Sequence, residues 1–223
     1  LAMRFRSLLI SGILIRVVLM PFFAHPYDVN VWYTLCISII EKGVLTVPYF
    51  PPMMFYTLIP VAYLYNCIST AFGVQPLLMS SLPGELDLSA VWGIKYVPGI
   101  WFNSVVKMPF LISDVLVALL LFKIVFQLSG SRKAGEGAAV VWFLNPYLIW
   151  ISGGWGMFDT LPALFTVGSF YFLLRNRFGF SALFLAIGVA YKAYPILFLV
   201  PVTFFFLRSK SIVKLHEALA RFY

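Results

Sequence analysis

Charge is scarce in this chain, and acid scarcer still. Only 11% of its 223 residues are charged, and eight are acidic: Asp28, Glu41, Glu85, Asp87, Asp114, Glu136, Asp159 and Glu217. With 62% hydrophobic and 18% aromatic residues, that composition excludes an ordinary water-soluble domain. The motifs of several enzyme classes are missing as well. There is no DxD, no HExxH, no CxxC and no Walker loop, and no Ser-His-Asp set is in evidence. His25 and His216 lie too far apart in the expected topology to cooperate. No cofactor is called for, and a divalent metal is neither required nor excluded by any motif. Cys36 and Cys67 fall in one segment and would pair only in an oxidising compartment; two such residues more often act as unpaired small hydrophobes. No internal repeat of the kind common in transporters is visible.

What is present is a series of continuous apolar runs, which makes the bilayer spans helical rather than barrel strands. The sequence predicts an all-α integral membrane protein, a single module over 1–223. About six transmembrane helices are expected, near 7–24, 104–128, 138–153, 160–174, 180–191 and 195–207. The first reads as an uncleaved anchor. A long external loop, 25–103, would carry membrane-lying helices at about 29–42 and 53–72. The net charge of +8 does not point to nucleic acid, because the basic residues fall in short clusters between apolar runs. With the N-terminus cytoplasmic, those clusters, "SGSRKAGEG" (129–137) and "RNRFG" (175–179) among them, all lie inside, and Asp28, Glu41, Glu85, Asp87 and Asp159 all lie outside. Counting 53–73 as a full crossing, or fusing 180–207 into one kinked helix, would move basic clusters outside.

Few polar residues interrupt the runs. Asp28 follows Pro26 at an expected helix start, with Trp32 one turn on and Tyr33 beside it. It serves as a helix cap, as a proton acceptor at the membrane surface, or as both. Lys107 and Asp114, seven apart, share a face of the second span. A charge at that depth costs about 2.5–3.5 kcal/mol on insertion scales, so both must face protein or water. Asp114 is expected to be paired or hydrogen-bonded, and Arg16, in the middle of the first span, reads as a buried partner for it or as a helix-packing polar group. Lys107, nearer the outer mouth, is a candidate for an anionic headgroup. In "ISGGWGMFD" (151–159) three glycines free the backbone where Trp155 and Asp159 project, although an ordinary interhelical turn reads the same way. Lys192, in "YKAYP", lies at membrane depth and needs a phosphate or a carboxylate; Asp28 and Asp159 are the candidate carboxylates.

Taken in order, "YDVNVWY", "YFPPMMFY", "KMPFLISDVLVALLLF", "NPYLIWISGGWGMFD" and "YKAYP" resemble the GT-C superfamily of polytopic glycosyltransferases, across about 24–201. The pattern is similar to the hexosyltransferases that use lipid-phosphate sugars, such as the glucosyltransferases of asparagine-linked glycosylation and the GPI mannosyltransferases. The resemblance implies transfer of mannose or glucose from a polyprenyl- or dolichyl-phosphate donor to a lipid-linked glycan acceptor, with inversion, on the non-cytoplasmic face. The membrane would be that of the endoplasmic reticulum or of a prokaryotic cell. On this sequence Asp28 would be the general base, Lys192 and Lys107 would bind the donor phosphate, and Trp32, Tyr33, Trp155 and Asp159 would border the substrate pocket. Family members of this kind are longer, so the six spans read as an N-terminal module, and Val29 and Asn30 stand where a second acidic residue would complete an acidic pair. Two other readings remain at this point: a catalytically incomplete GT-C-like subunit that needs a partner chain, and a small transporter or lipid flippase.

Overall fold

A computed structural model describes residues 2–43, 51–74, 77–78 and 96–208. The expected positions of Glu85, Asp87, Lys210, Lys214, His216, Glu217 and Arg221, and most of the 80–103 loop, lie outside those residues. Among the described residues the helical segments are α1 (Ala2–Phe22), α2 (Pro26–Lys42), α3 (Pro52–Phe72), α4 (Ile100–Ser129), α5 (Arg132–Phe143), α6 (Pro146–Ile149), α7 (Thr160–Leu174), α8 (Phe178–Tyr191), a 3₁₀ segment (Tyr194–Phe198) and α9 (Leu199–Arg208). A π-turn, Trp150–Trp155, prolongs α6.

Two helices, α1 and α4, contain stretches long and apolar enough to cross a membrane; α7, α8 and 194–204 are shorter apolar helices. The 21-residue α3 is not among the two.

Local chemistry sets most of the boundaries. Pro26 and Pro52 open α2 and α3 at the first helical position, where a missing N–H costs nothing. Gly43, Gly73 and Gly130 close α2, α3 and α4 in the left-handed conformation. Three expectations change. The third span was expected over 138–153 behind a loop at 129–137. Instead Ser131 accepts a hydrogen bond from the Ala134 N–H through Oγ (3.3 Å) and starts α5 at Arg132, so the loop shrinks to Gly130–Ser131. The same segment then breaks at Asn145, whose Oδ1 caps α6 by accepting from Tyr147 N–H (2.9 Å) ahead of Pro146. Finally, a two-residue antiparallel pair, β1 (Leu77–Leu78) and β2 (Tyr96–Val97), interrupts an otherwise helical architecture.

α4 is the central post, packed on α1, α5, α7 and α3. Phe5 stacks on Phe122 and Asn103 Nδ2 reaches Pro21 O (3.2 Å), so α1 runs antiparallel to α4. Thr160 Oγ1 bonds Phe110 O (3.3 Å) and Gln127 Nε2 bonds Leu174 O (3.5 Å), so α7 runs parallel to it. One end of the bundle therefore gathers Arg6, Lys123, Arg132, Lys133, Arg175 and Arg177. The other gathers α2, α3, the π-turn and the 192–198 segment. There a core of Val29, Trp32, Leu58, Phe102, Phe110 and their neighbours buries the amphipathic α2 and α3 against α4.

α1 and the π-turn are fastened to one face of α4. Arg16 Nε lies 2.9 Å from Asp114 Oδ2, with both side chains fully buried, as the sequence pairing anticipates. Ser152 Oγ donates to the same oxygen at 2.6 Å. Two turns along, Lys107 Nζ donates to Met20 O (3.1 Å), Phe23 O and Gly154 O (2.9 Å). Carbonyls at the end of α1 and in the following turn, which lack helical partners, thus find a cation.

Candidate functional site

The segment Gly153–Asp159 is the spine of the candidate site. Its geometry follows from its glycines. At Gly154 a Cβ would lie 2.6 Å from the Trp150 ring, and Gly156 adopts φ +90° against Lys107 and Val29. Only glycine meets both conditions, and the chain turns so that Trp155 projects toward α2.

Trp155 Nε1 donates to Asp28 Oδ2 at 2.7 Å. His25 Nδ1 lies 3.0 Å from the same oxygen, and its ring stacks on the indole at 4.5 Å and 12°. His25 N–H also donates to Trp155 O (2.9 Å). His25, not Asp28, is the N-cap of α2; Asp28 sits in the first turn and caps nothing with its side chain. The N-terminal dipole of α2 favours its negative charge there. Both polar contacts fall on Oδ2. Oδ1 accepts no hydrogen bond among the described residues, and the side chain keeps 22% of its surface.

Further along the spine, Gly156 O accepts from Trp32 Nε1 (3.2 Å). The Phe158 ring meets the edge of Trp32 at 5.4 Å, and the Lys192 ammonium lies 5.0 Å above its centre. Lys192 forms an ion pair with Asp159, each side chain 34% exposed. It stands in extended backbone where α8 ends. Trp155 and Asp159 are four positions apart, at most about 14 Å of chain. Asp28, Trp155, Phe158, Asp159 and Lys192 are thus links of one strip, with Asp28 at one end and the Lys192–Asp159 pair at the other.

Three expected site residues take other positions. Tyr33 is buried edge-on against Tyr65 and Phe102 and belongs to the core. Trp32 is also buried and meets the strip through its indole N–H and ring edge. Lys107 has no exposed surface, and its donors go to the three carbonyls named above, so it fastens helices rather than facing solvent. His25 and Phe158 were not singled out in the sequence. The i,i+3 spacing of His25 and Asp28 carried the first; nothing marked Phe158 among 23 phenylalanines. Among the described residues no cluster of His, Cys, Asp and Glu could hold a metal. Cys36 and Cys67 are free thiols, the first buried beneath Leu58 O and the second exposed.

Comparison with known proteins gives two results. Over 110 residues, 49% of this chain, it is 27% identical to GPI mannosyltransferase 1 of Saccharomyces cerevisiae. Over 106 residues, 47% of the chain, it is 30% identical to GPI mannosyltransferase 1 of Candida albicans. The aligned regions cover 27% and 26% of those proteins, so the chain spans about a quarter of the length of the curated relatives it matches. No solved structure matches it. The relationship to GT-C-like glycosyltransferases expected from the motifs is thereby shown. The family model described as GPI transamidase subunit PIG-U matches residues 61–222, a region that holds Trp155, Asp159 and Lys192 and leaves out Asp28. The chain belongs to the family of the GPI transamidase subunit PIG-U.

Proposed function

We propose that the chain is a GT-C-like membrane subunit that holds a GPI-class glycolipid on the Asp28–Lys192 strip for a transamidase, and does not itself transfer sugar. The observation that carries this reading is the engagement of both lysines expected at a donor phosphate. Lys107 is buried on backbone carbonyls, and Lys192 is neutralised by Asp159. A leaving lipid phosphate needs positive charge that strengthens as the bond breaks. A lysine already paired with a carboxylate supplies little of it. What the strip offers instead is a carboxylate oxygen, Asp28 Oδ1, beside the half-buried Trp155, and the two suit sugar hydroxyls and ring faces. The subunit role and the glycolipid come from the family description; the match of 162 residues, 61–222, is broader than that to the mannosyltransferases.

A second reading, hexosyl transfer from a polyprenyl- or dolichyl-phosphate sugar to a lipid-linked glycan with Asp28 as base, is favoured by one observation. Asp28 is oriented by Trp155 and His25 through one oxygen while the other stays open, as a general base would be. On either reading the spans surround a site on the face opposite the basic clusters, in a membrane of the endoplasmic reticulum.

The test uses the natural full-length protein in cells depleted of their own copy. Asp28→Asn is expected to cut GPI attachment to a reporter protein while the tagged variant still co-purifies with the transamidase. Purified wild-type protein is expected to transfer no mannose from dolichyl-phosphate mannose. Mannose transfer by the purified protein would overturn the subunit reading in favour of the second.

A further inference from the structure

At the basic end of the bundle, away from the strip, α4 and α7 border an open surface cavity of about 580 Å³ lined by Lys123, Phe126, Gln127, Tyr171 and Arg175. Its floor is the Tyr171 ring. The Arg175 guanidinium lies 5.2 Å from the centre of that ring and the Lys123 ammonium 6.0 Å. Two like charges flank one aromatic ring, an arrangement that suits an anion held between them. No carboxylate pairs with either cation among the described residues. Glu136, the acid at this end, is taken by Arg132 at 2.9 Å. Gln127 bridges to Leu174 O at 3.5 Å and keeps α4 and α7 together at the cavity's edge.

The depth of the cavity matters. Lys123 lies six residues before the end of α4, about 9 Å along the axis at 1.5 Å per residue. A lysine so placed on a spanning helix reaches toward the headgroup layer along its own stem. Arg175 follows the last residue of α7, where carbonyl ends favour a cation. Phe126 supplies an apolar wall on the lipid side.

We infer that this cavity between α4 and α7 binds the phosphate-bearing headgroup of an anionic phospholipid, clamped by Lys123 and Arg175 over Tyr171. Arg175 gives the phosphate a planar fork and Lys123 a point charge, while Phe126 meets the first acyl carbons. The occupant arrives sideways from the bilayer, which brings its phosphate to the level of both cations. The proposal is independent of the glycolipid strip at the opposite end.

The test is native mass spectrometry of the full-length protein in mild detergent with phosphatidylserine or phosphatidylcholine added. Phosphatidylserine adducts are expected to survive at roughly tenfold or more over phosphatidylcholine, as two interfacial cations would give. The double variant Lys123→Gln, Arg175→Gln is expected to lose that preference, and the charge-keeping double Lys123→Arg, Arg175→Lys to retain it. Equal retention of the two lipids by the wild type, or unchanged preference in the glutamine double, would overturn the proposal. Displacement of the phosphatidylserine adduct by low millimolar inorganic phosphate would assign the cavity to a soluble phosphate and overturn it too. A glutamine double with unaltered unfolding temperature and no preference supports it; loss of preference in the charge-keeping double as well contradicts it.

Discussion

Trp155 and Asp28 are 127 residues apart in the chain and 2.7 Å apart in space, joined by an indole N–H on a carboxylate oxygen. That bond ties the π-turn to the first turn of α2 and sets the direction in which Asp28 Oδ1 faces. Trp155→Phe keeps an aromatic ring against His25 and removes the N–H donor together with part of the indole. Because Asp28 is partly exposed, water replaces some of what is lost, and destabilisation of about 1 kcal/mol is expected by thermal unfolding in detergent. The larger expected effect is on GPI attachment in complemented cells, since the carboxylate loses its orientation.

Arg16 and Asp114 make a different kind of contact, wholly buried and incompletely satisfied: Arg16 Nη2 and Asp114 Oδ1 have no hydrogen bond among the described residues. Removing one partner strands a charge, so Arg16→Met or Asp114→Leu alone is expected to cost about 3–5 kcal/mol. The double variant is expected to recover most of that loss. Unfolding midpoints of the three variants check it; a double variant no better than either single would show that the pair supplies net stability.

Lys107 is expected to behave as a fastener. Lys107→Met leaves Met20 O, Phe23 O and Gly154 O without their donor, and a loss of about 2–4 kcal/mol is expected, one to two such contacts at full weight. Binding of a lipid phosphate should be unaffected in molecules that remain folded. A variant with unaltered stability and weakened phosphate binding would return Lys107 to a donor site.

Gly156 is held by its backbone conformation and by the Lys107 side chain packed against it. At φ +90°, with Lys107 Cε 3.0 Å from the place a Cβ would take, Gly156→Ala is expected to destabilise by about 1–3 kcal/mol, seen as a lower unfolding temperature.

The two thiols separate by burial. Cys36 lies in the core between α2 and α3, where burial pushes its pKa up to about 12. A maleimide at pH 7 is expected to label Cys67 and to leave Cys36 unmodified until the protein is denatured, since a thiol titrating near 12 presents roughly a thousandfold less thiolate than an ordinary one. Labelling of both in the folded protein would contradict that packing.

Much of this arrangement was legible in the sequence because membrane depth makes polar residues conspicuous. Arg16, Lys107, Asp114 and Lys192 each stand out against apolar neighbours, and of the two readings open for Arg16, a partner for Asp114 or a helix-packing group, the structure shows the first. Lys192 was expected to find a carboxylate or a phosphate, and it faces Asp159. What stayed hidden were contacts made by groups without a marked residue type. Lys107 binds main-chain carbonyls, which no side-chain pattern announces. Trp32 and Tyr33 look like pocket aromatics in one dimension, but both are buried, Trp32 against Phe158 and Tyr33 against Tyr65 and Phe102, and only packing reveals it. The start of α5 at Arg132 was masked by a basic, glycine-containing stretch that reads as a loop until Ser131 is seen as a cap. The short β1–β2 pair has no period long enough to register.

The most direct test of the account is whether the purified full-length protein moves mannose. Incubated in liposomes with radiolabelled dolichyl-phosphate mannose and a lipid-linked glycan acceptor, it is predicted to form no labelled product, while a photoreactive GPI-class glycolipid crosslinks to residues of the Trp155–Asp159 segment and Asp28→Asn weakens that crosslink. Labelled glycan made by the wild type and abolished by Asp28→Asn would contradict the account and make Asp28 the base of a transferase.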